Sequence, residues 1–330
     1  SVTIQKPFNN GKYTSSSHRT KIPTLKPFLN ACIARPVNKK EIAREPLAQQ
    51  AMREEFEKLT KAGVWDLNSV RPAAELYAEA KRAGIHYHFL RIFGICTEKN
   101  SELVGNDSRK KYKGRYVCQG NQVKDEYMQA AVFENEGSHP ASMTAGRIVD
   151  FWGGLGDNIS QQSDAQQAYI QSKLKSPHPT WVRLPEEYWP EEWIKKGIKN
   201  PLVRLVYALY GHPDAGTYWE VRCDTHMCAQ GFVPVPECPS TFYHPKHKVV
   251  CSVYVDDFKL SGPASGCAAC WELIRSDSPD GSSKAIKLDP VEAAGRFLGC
   301  TIREVFLPEG MEDTLPFPPK GAVLDPDNEG

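Results

Sequence analysis

The run from Val249 to Leu260 constrains this chain more than any other stretch. Two β-type segments, Val249 to Val255 and the shorter Phe258 to Leu260, flank two adjacent carboxylates, Asp256 and Asp257. In one straight strand, neighbouring side chains point to opposite faces. A tight turn between two strands removes that restriction and brings both carboxylates to a hairpin tip. Two acids this close repel each other when ionised, so something must offset the cost. A divalent cation does so. Magnesium takes oxygen ligands in octahedral geometry, often from one or two carboxylates, with water and substrate phosphate completing the shell. The plain alternative is a β-turn, where Asp is common because it hydrogen-bonds to its own backbone.

The 330 residues suffice for one large domain or two ordinary ones with a real core. An apolar share of 40% predicts a globular chain rather than disorder. The net charge of +1 does not by itself point to nucleic acid, because what matters is where the charge lies. Cys32, Cys96, Cys118, Cys251 and Cys300 stand alone, mostly inside apolar runs, and read as small buried hydrophobes rather than a disulfide framework. No signal peptide opens the sequence, and no apolar run is long enough to span a membrane. The expectation is an intracellular protein, cytoplasmic or nuclear, with reduced thiols.

Residues 1–40 are rich in Lys, Ser, Thr, Asn and Pro and read as a mobile extension. Ala48, Met52, Phe56 and Leu59 recur at helical spacing before Gly63, and Val64 to Leu67 follows as a short strand. His86 to Cys96 is a strand region. A basic run, Arg109 to Arg115, enters a strand that stops at Gly120. Between Asp125 and Asp157 the pattern predicts mainly helix, interrupted at His139-Pro140. Further on, Gln161 to Ala165 is a short strand, a helix follows Gly211, Cys267 to Arg275 is helical, and Arg296 to Ile302 is a final strand. Five prolines from Pro308 to Pro326 make a packed C-terminal element improbable.

Several short segments recur in an order that carries meaning. They are the Lys113-x-Arg115 strand, Gln162-x-Asp164 continuing to Ala168-Tyr169, and Trp181-Val182-Arg183-Leu184-Pro185. Ala208-Leu209-Tyr210-Gly211, Tyr254-Val255-Asp256-Asp257 and Phe297-Leu298-Gly299-Cys300-Thr301-Ile302 complete the set. Alone, Asp164 could simply cap the next helix. Taken together, the set resembles the reverse transcriptases of copia-type retrotransposons over roughly Glu45 to Ile302. The fold this implies is α/β in the α+β sense: a palm with a small antiparallel sheet backed by helices, plus a fingers subdomain. Residues 41–160 would be mainly fingers, 161–302 mainly palm, and 303–330 an irregular proline-rich tail.

The resemblance implies an RNA-directed DNA polymerase that adds deoxynucleotides to a primer 3′-hydroxyl on an RNA or DNA template. Asp164, Asp256 and Asp257 would be the catalytic acids. With the Ala165 backbone they would hold two magnesium ions, for which manganese can substitute. Lys113 and Arg115 would grip the incoming triphosphate from one strand face. Tyr169 would lie under its sugar, and Tyr210 and Gly211 would line the same pocket. Arg109, Lys110, Lys111 and Tyr254 would touch nucleic acid. The family often carries Gly-Leu-Lys-Gln-Ala-Pro-Arg where this chain has Gly211-His-Pro-Asp-Ala-Gly-Thr217, which puts template contacts there in doubt. A thumb and a ribonuclease H domain are not evident, so a truncated fragment is expected, with a partner chain as one source of those parts. The competing expectations are a catalytically silent relic or nucleic-acid-binding protein, and a two-metal nuclease. The Lys-x-Arg strand speaks against the nuclease.

Other features read as structural. Cys267-x-x-Cys270 lacks a second ligand pair at zinc-finger spacing, and Cys223, His226 and Cys228 fall on an expected helix, so no zinc is expected. His86 and His88 share a strand face but read as ordinary surface or core histidines. Trp181, Trp189 and Trp193 read as packing residues rather than base-stacking platforms.

Overall fold

The computed structural model describes residues 34–103, 107–133, 138–298 and 300–301, with short strand pieces at 8–9 and 12–13. The fold is mixed α and β, with two six-stranded sheets and several helices. Two compact units divide the chain: residues 1–56 with 95–115, and residues 57–94 with 116–330.

In the smaller unit, Arg35–Val37 is a strand paired with Cys96 to Glu98. Arg35 bridges Glu41 and Glu98 at 2.6 Å each, and Val37 is buried. These contacts give residues 35–37 fixed structure, where a mobile extension was expected through residue 40. Most of that extension lies outside the described residues. Of helix Pro46–Lys61, the predicted apolar positions Ala48, Met52, Phe56 and Leu59 are all buried. The basic run forms strand Lys111–Cys118, with Lys111, Lys113 and Arg115 exposed and Gly114 buried between them.

The larger unit contains the hairpin. Its antiparallel sheet runs Val233–Pro234, Thr241–His244, Val249–Tyr254, Asp257–Pro263, Asn158–Asp164, Glu292–Ala293. Helices Ala215–Ala229 and Ala264–Arg275 close one face over Val249, Cys251, Val253, Phe258 and Leu260. Helix Met143–Gly153 packs on the other face of the three central strands. Elsewhere in this unit, strand Thr180–Arg183 pairs in parallel with His88 to Arg91 and antiparallel with Pro201–Leu205.

Three expectations are corrected. Among the described residues of 125–157, helix forms only at Met143–Gly153. The Asp125 carboxylate accepts from the amides of Tyr127 and Gln129, and Met128 takes a φ of 64°, so a side-chain turn wins over helix there. The strand expected from Arg296 is instead two short strands, Arg296–Phe297 and Cys300–Thr301, reversed through Leu298 at φ 49°. Ile302 and the proline-rich tail lie outside the described residues. The strand expected at Val64 to Leu67 runs longer, as Trp65–Pro72.

Candidate active site

The site begins with a two-residue hairpin loop. Tyr254 pairs with Asp257, leaving Val255 and Asp256 as the turn. Val255 has a φ of 58°, a conformation that glycine adopts freely and a β-branched residue resists. Neighbouring groups hold it there. The Trp219 indole Nε1 donates to the Val255 carbonyl at 2.6 Å, and the Ala165 amide donates to the Asp256 carbonyl at 2.6 Å. Strain kept in place by surrounding contacts is common at functional sites.

Asp164 ends the neighbouring strand directly opposite Asp257 in the ladder. Both side chains therefore stand on the same sheet face, where each carboxyl acts on the titration of the other. Burial, then repulsion from Asp256 and Asp164, pushes the Asp257 carboxyl up to about 6. Asp164 is raised in the same sense by burial and by Asp256, Asp289 and Glu292. The structure thus brings Asp164, Asp256 and Asp257 into electrostatic contact from positions ninety residues apart. Ala165, buried, follows directly on Asp164. Three carboxylates are a hard oxygen donor set, which suits magnesium rather than a softer metal. Among the described residues, no three His, Cys, Asp or Glu side chains are arranged to hold a metal ion in this conformation.

The other named residues fall into two groups. Tyr169 and Tyr210 meet in the larger unit with ring centroids 4.4 Å apart and planes tilted by 57°, and burial, then Asp256, raises the Tyr169 phenol. Gly211, at φ 82°, presses on strand Lys111–Cys118: a Cβ there would fall 2.2 Å from the Cys118 carbonyl, and Cys118 donates to the Tyr210 carbonyl at 2.7 Å. No other residue fits this crossing. Tyr254 is exposed on the same face as Asp257. Lys113, Arg115, Arg109, Lys110 and Lys111 belong to the smaller unit. There Arg109 makes a two-pronged pair with Asp107 at 2.7 and 3.0 Å, which holds the Asp107 carboxyl down at about 2. Lys110 lies 3.8 Å from Glu98. Part of this basic charge is therefore met locally.

Several residues at the site gave no signal in the sequence. The Asp289 amide donates to the Asp164 carbonyl at 2.8 Å, and its carboxylate accepts from Gln166 Nε2 at 2.9 Å. Its own carbonyl is gripped by the Ser163 hydroxyl and by Arg275. Glu292 pairs with Gln162, two residues before Asp164. Asp214, the departure from the family pattern, is buried beside His212, whose Nδ1 accepts from the Asp214 amide at 3.1 Å. Cys223, Cys251, Cys267 and Cys270 all join the apolar core, where burial raises their thiols. His226 is buried too, bonded to the Ile274 carbonyl and Ser283. Trp181 and Trp193 are likewise buried.

No protein-family model matches the chain. Among curated proteins it is similar to the retrovirus-related Pol polyprotein from transposon TNT 1-94 of Nicotiana tabacum. The two are 24% identical over 276 residues, covering 81% of this chain and 18% of that polyprotein. The likeness supports a retroelement origin. The chain spans less than a fifth of the length of that relative. No helix among the described residues is long and apolar enough to cross a membrane.

Proposed function

We propose that the chain is the polymerase core of a copia-type reverse transcriptase, with the antiparallel sheet as its palm and the Lys113–Arg115 strand in its fingers. One observation carries the reading: Asp257 stands in register with Asp164, and Asp256 occupies the adjoining turn. The retroelement likeness supports it. The substrates are a primed RNA or DNA template and deoxynucleoside triphosphates. Asp164, Asp256 and Asp257, with the Ala165 backbone, would hold magnesium, which would supply charge neutralisation at the triphosphate and favour ionisation of the primer hydroxyl. The new bond joins the primer 3′-oxygen to the α-phosphorus as the bond to pyrophosphate breaks. Lys113 and Arg115 hold the triphosphate, and the adjoining rings of Tyr169 and Tyr210 floor the sugar pocket. A bulky ring at Tyr169 excludes a 2′-hydroxyl.

Primer extension on an RNA template tests this. Magnesium-dependent extension is expected, lost in Asp257→Asn, and Tyr169→Ala should admit ribonucleotides. Extension that survives Asp257→Asn removes the assignment of the acids. The second reading, a catalytically silent nucleic-acid-binding relic, draws on the fact that no closed metal-ligand set forms among the described residues. It predicts no magnesium-dependent nucleotide binding in calorimetry.

A further inference from the structure

Lys259 lies two residues past Asp257 on the same strand, so both side chains share a sheet face. The lysine side chain is fully buried. Its ammonium pairs with the Asp150 carboxylate of helix Met143–Gly153 and lies 5.1 Å from the Phe297 ring centroid. Ser252, directly opposite Lys259 in the ladder, is fully buried, and its hydroxyl has no hydrogen-bond partner among the described residues. Farther down the strand the Ser160 and Ser261 hydroxyls bond at 2.7 Å. The helix meets this polar strip with Asp150 and Gly153, and Gly146, on the same helix face by its spacing, lies against Phe297. Gly153 is required: a Cβ there would fall 1.9 Å from the Ser160 hydroxyl oxygen.

The arrangement solves a register problem. Phe258 and Leu260 fix which strand face turns inward, but a shift by two residues would keep that alternation. Such a shift would set Asp257 opposite Gln162 instead of Asp164. Lys259 forbids it, because a buried ammonium that loses its carboxylate is strongly penalised. In some proteins a buried polar pair specifies register while adding little stability.

We propose that Lys259, clamped by Asp150, is a positioning residue that locks the Asp257 strand under helix Met143–Gly153 and so holds the carboxylate pair in register. Its consequence for chemistry rests on the polymerase reading; the clamp itself does not. The test compares the parent chain with Lys259→Met and with the swapped pair Asp150→Lys/Lys259→Asp, using amide hydrogen exchange and primer extension. In Lys259→Met, exchange at residues 257–260 should rise about tenfold or more, while residues 249–253 stay within about twofold. The kcat should fall about tenfold or more with KM for the nucleotide nearly unchanged, and the swapped pair should recover both. Unchanged exchange at 257–260 overturns the clamp whatever the activity. Faster exchange with unchanged kcat overturns the positioning role. If the parent chain itself extends no primer, the polymerase reading fails, and the exchange result still decides the clamp. If Lys259→Met does not fold, Asp150→Asn is read by the same criteria.

Discussion

One face of the hairpin sheet is a closed apolar core, and the other carries carboxylates, a lysine and serines. Phe258 and Leu260 point to the first, among Val249, Cys251 and Val253 and under the helices bearing Trp219 and Trp271. Asp257, Lys259 and Ser261 point to the second, opposite Asp164, Gln162 and Ser160. The same strand alternates between the two at every residue. On the apolar side each buried side chain adds to stability. On the polar side, the pairing of Asp164 with Asp257 and the buried Lys259 cost free energy that the core must offset. A fold that keeps such a face keeps it for something other than stability.

The largest effect that would sharpen this contrast is on the apolar side. Phe258 is fully buried, and Phe258→Ala should lower stability by about 3–5 kcal/mol in denaturant unfolding. A loss under about 1 kcal/mol would mean that the face is loosely packed, and the contrast would fail. The next effect has the opposite sign and lies on the polar side. Asp257 titrates near 6 in the folded chain, above its ordinary 3.8. The folded form therefore holds that proton more tightly than the unfolded form. Its contribution to stability is fully present below pH 3.8 and is lost as pH rises through about 6. Asp257→Asn, which keeps a donor toward Asp164, should flatten stability through that window and make the chain about 1–3 kcal/mol more stable at pH 7. Thermal melts from pH 3.5 to 7.5 check this. A variant with the parent's pH dependence would show that the pair is not coupled.

Half of this contrast was legible in the sequence. The β-branched run at Val249 to Val255 and the acid pair beside it gave the hairpin, because period-two alternation and a turn residue are local signals. The Gln162-Ser163-Asp164 strand was legible as well. The neighbours that complete the polar face were not. Asp150 and Lys259 are 109 residues apart, and Asp289 reaches Asp164 through one backbone hydrogen bond across a similar gap. Each alone reads as an ordinary surface charge, and only the folded sheet shows Lys259 to be buried. The helix expected over 125–157 forms in part, at Met143–Gly153, and near Asp125 it gives way for a local reason: the Asp125 carboxylate takes the Tyr127 and Gln129 amides. The positive φ of Val255 was illegible in principle, since valine is among the residues least suited to it.

That turn provides the smallest and most discriminating test. If Val255 is strained to aim Asp256, relieving the strain should help stability and harm function. Left-handed backbone costs a non-glycine residue about 1–2 kcal/mol, while glycine adds about 0.5–1 kcal/mol of unfolded-state entropy. Val255 also lines a small cavity of about 20 Å³ with Tyr169, Trp219 and Glu220, so trimming it loses some contact. Val255→Gly should therefore be slightly more stable, by less than about 1 kcal/mol, because strain relief narrowly exceeds the two losses. Its magnesium-dependent extension should drop, because a glycine turn no longer fixes the direction of Asp256. A variant that is both clearly less stable and fully active would reverse the argument: the valine would be there for packing, and the polar face would owe nothing to the strain beside it.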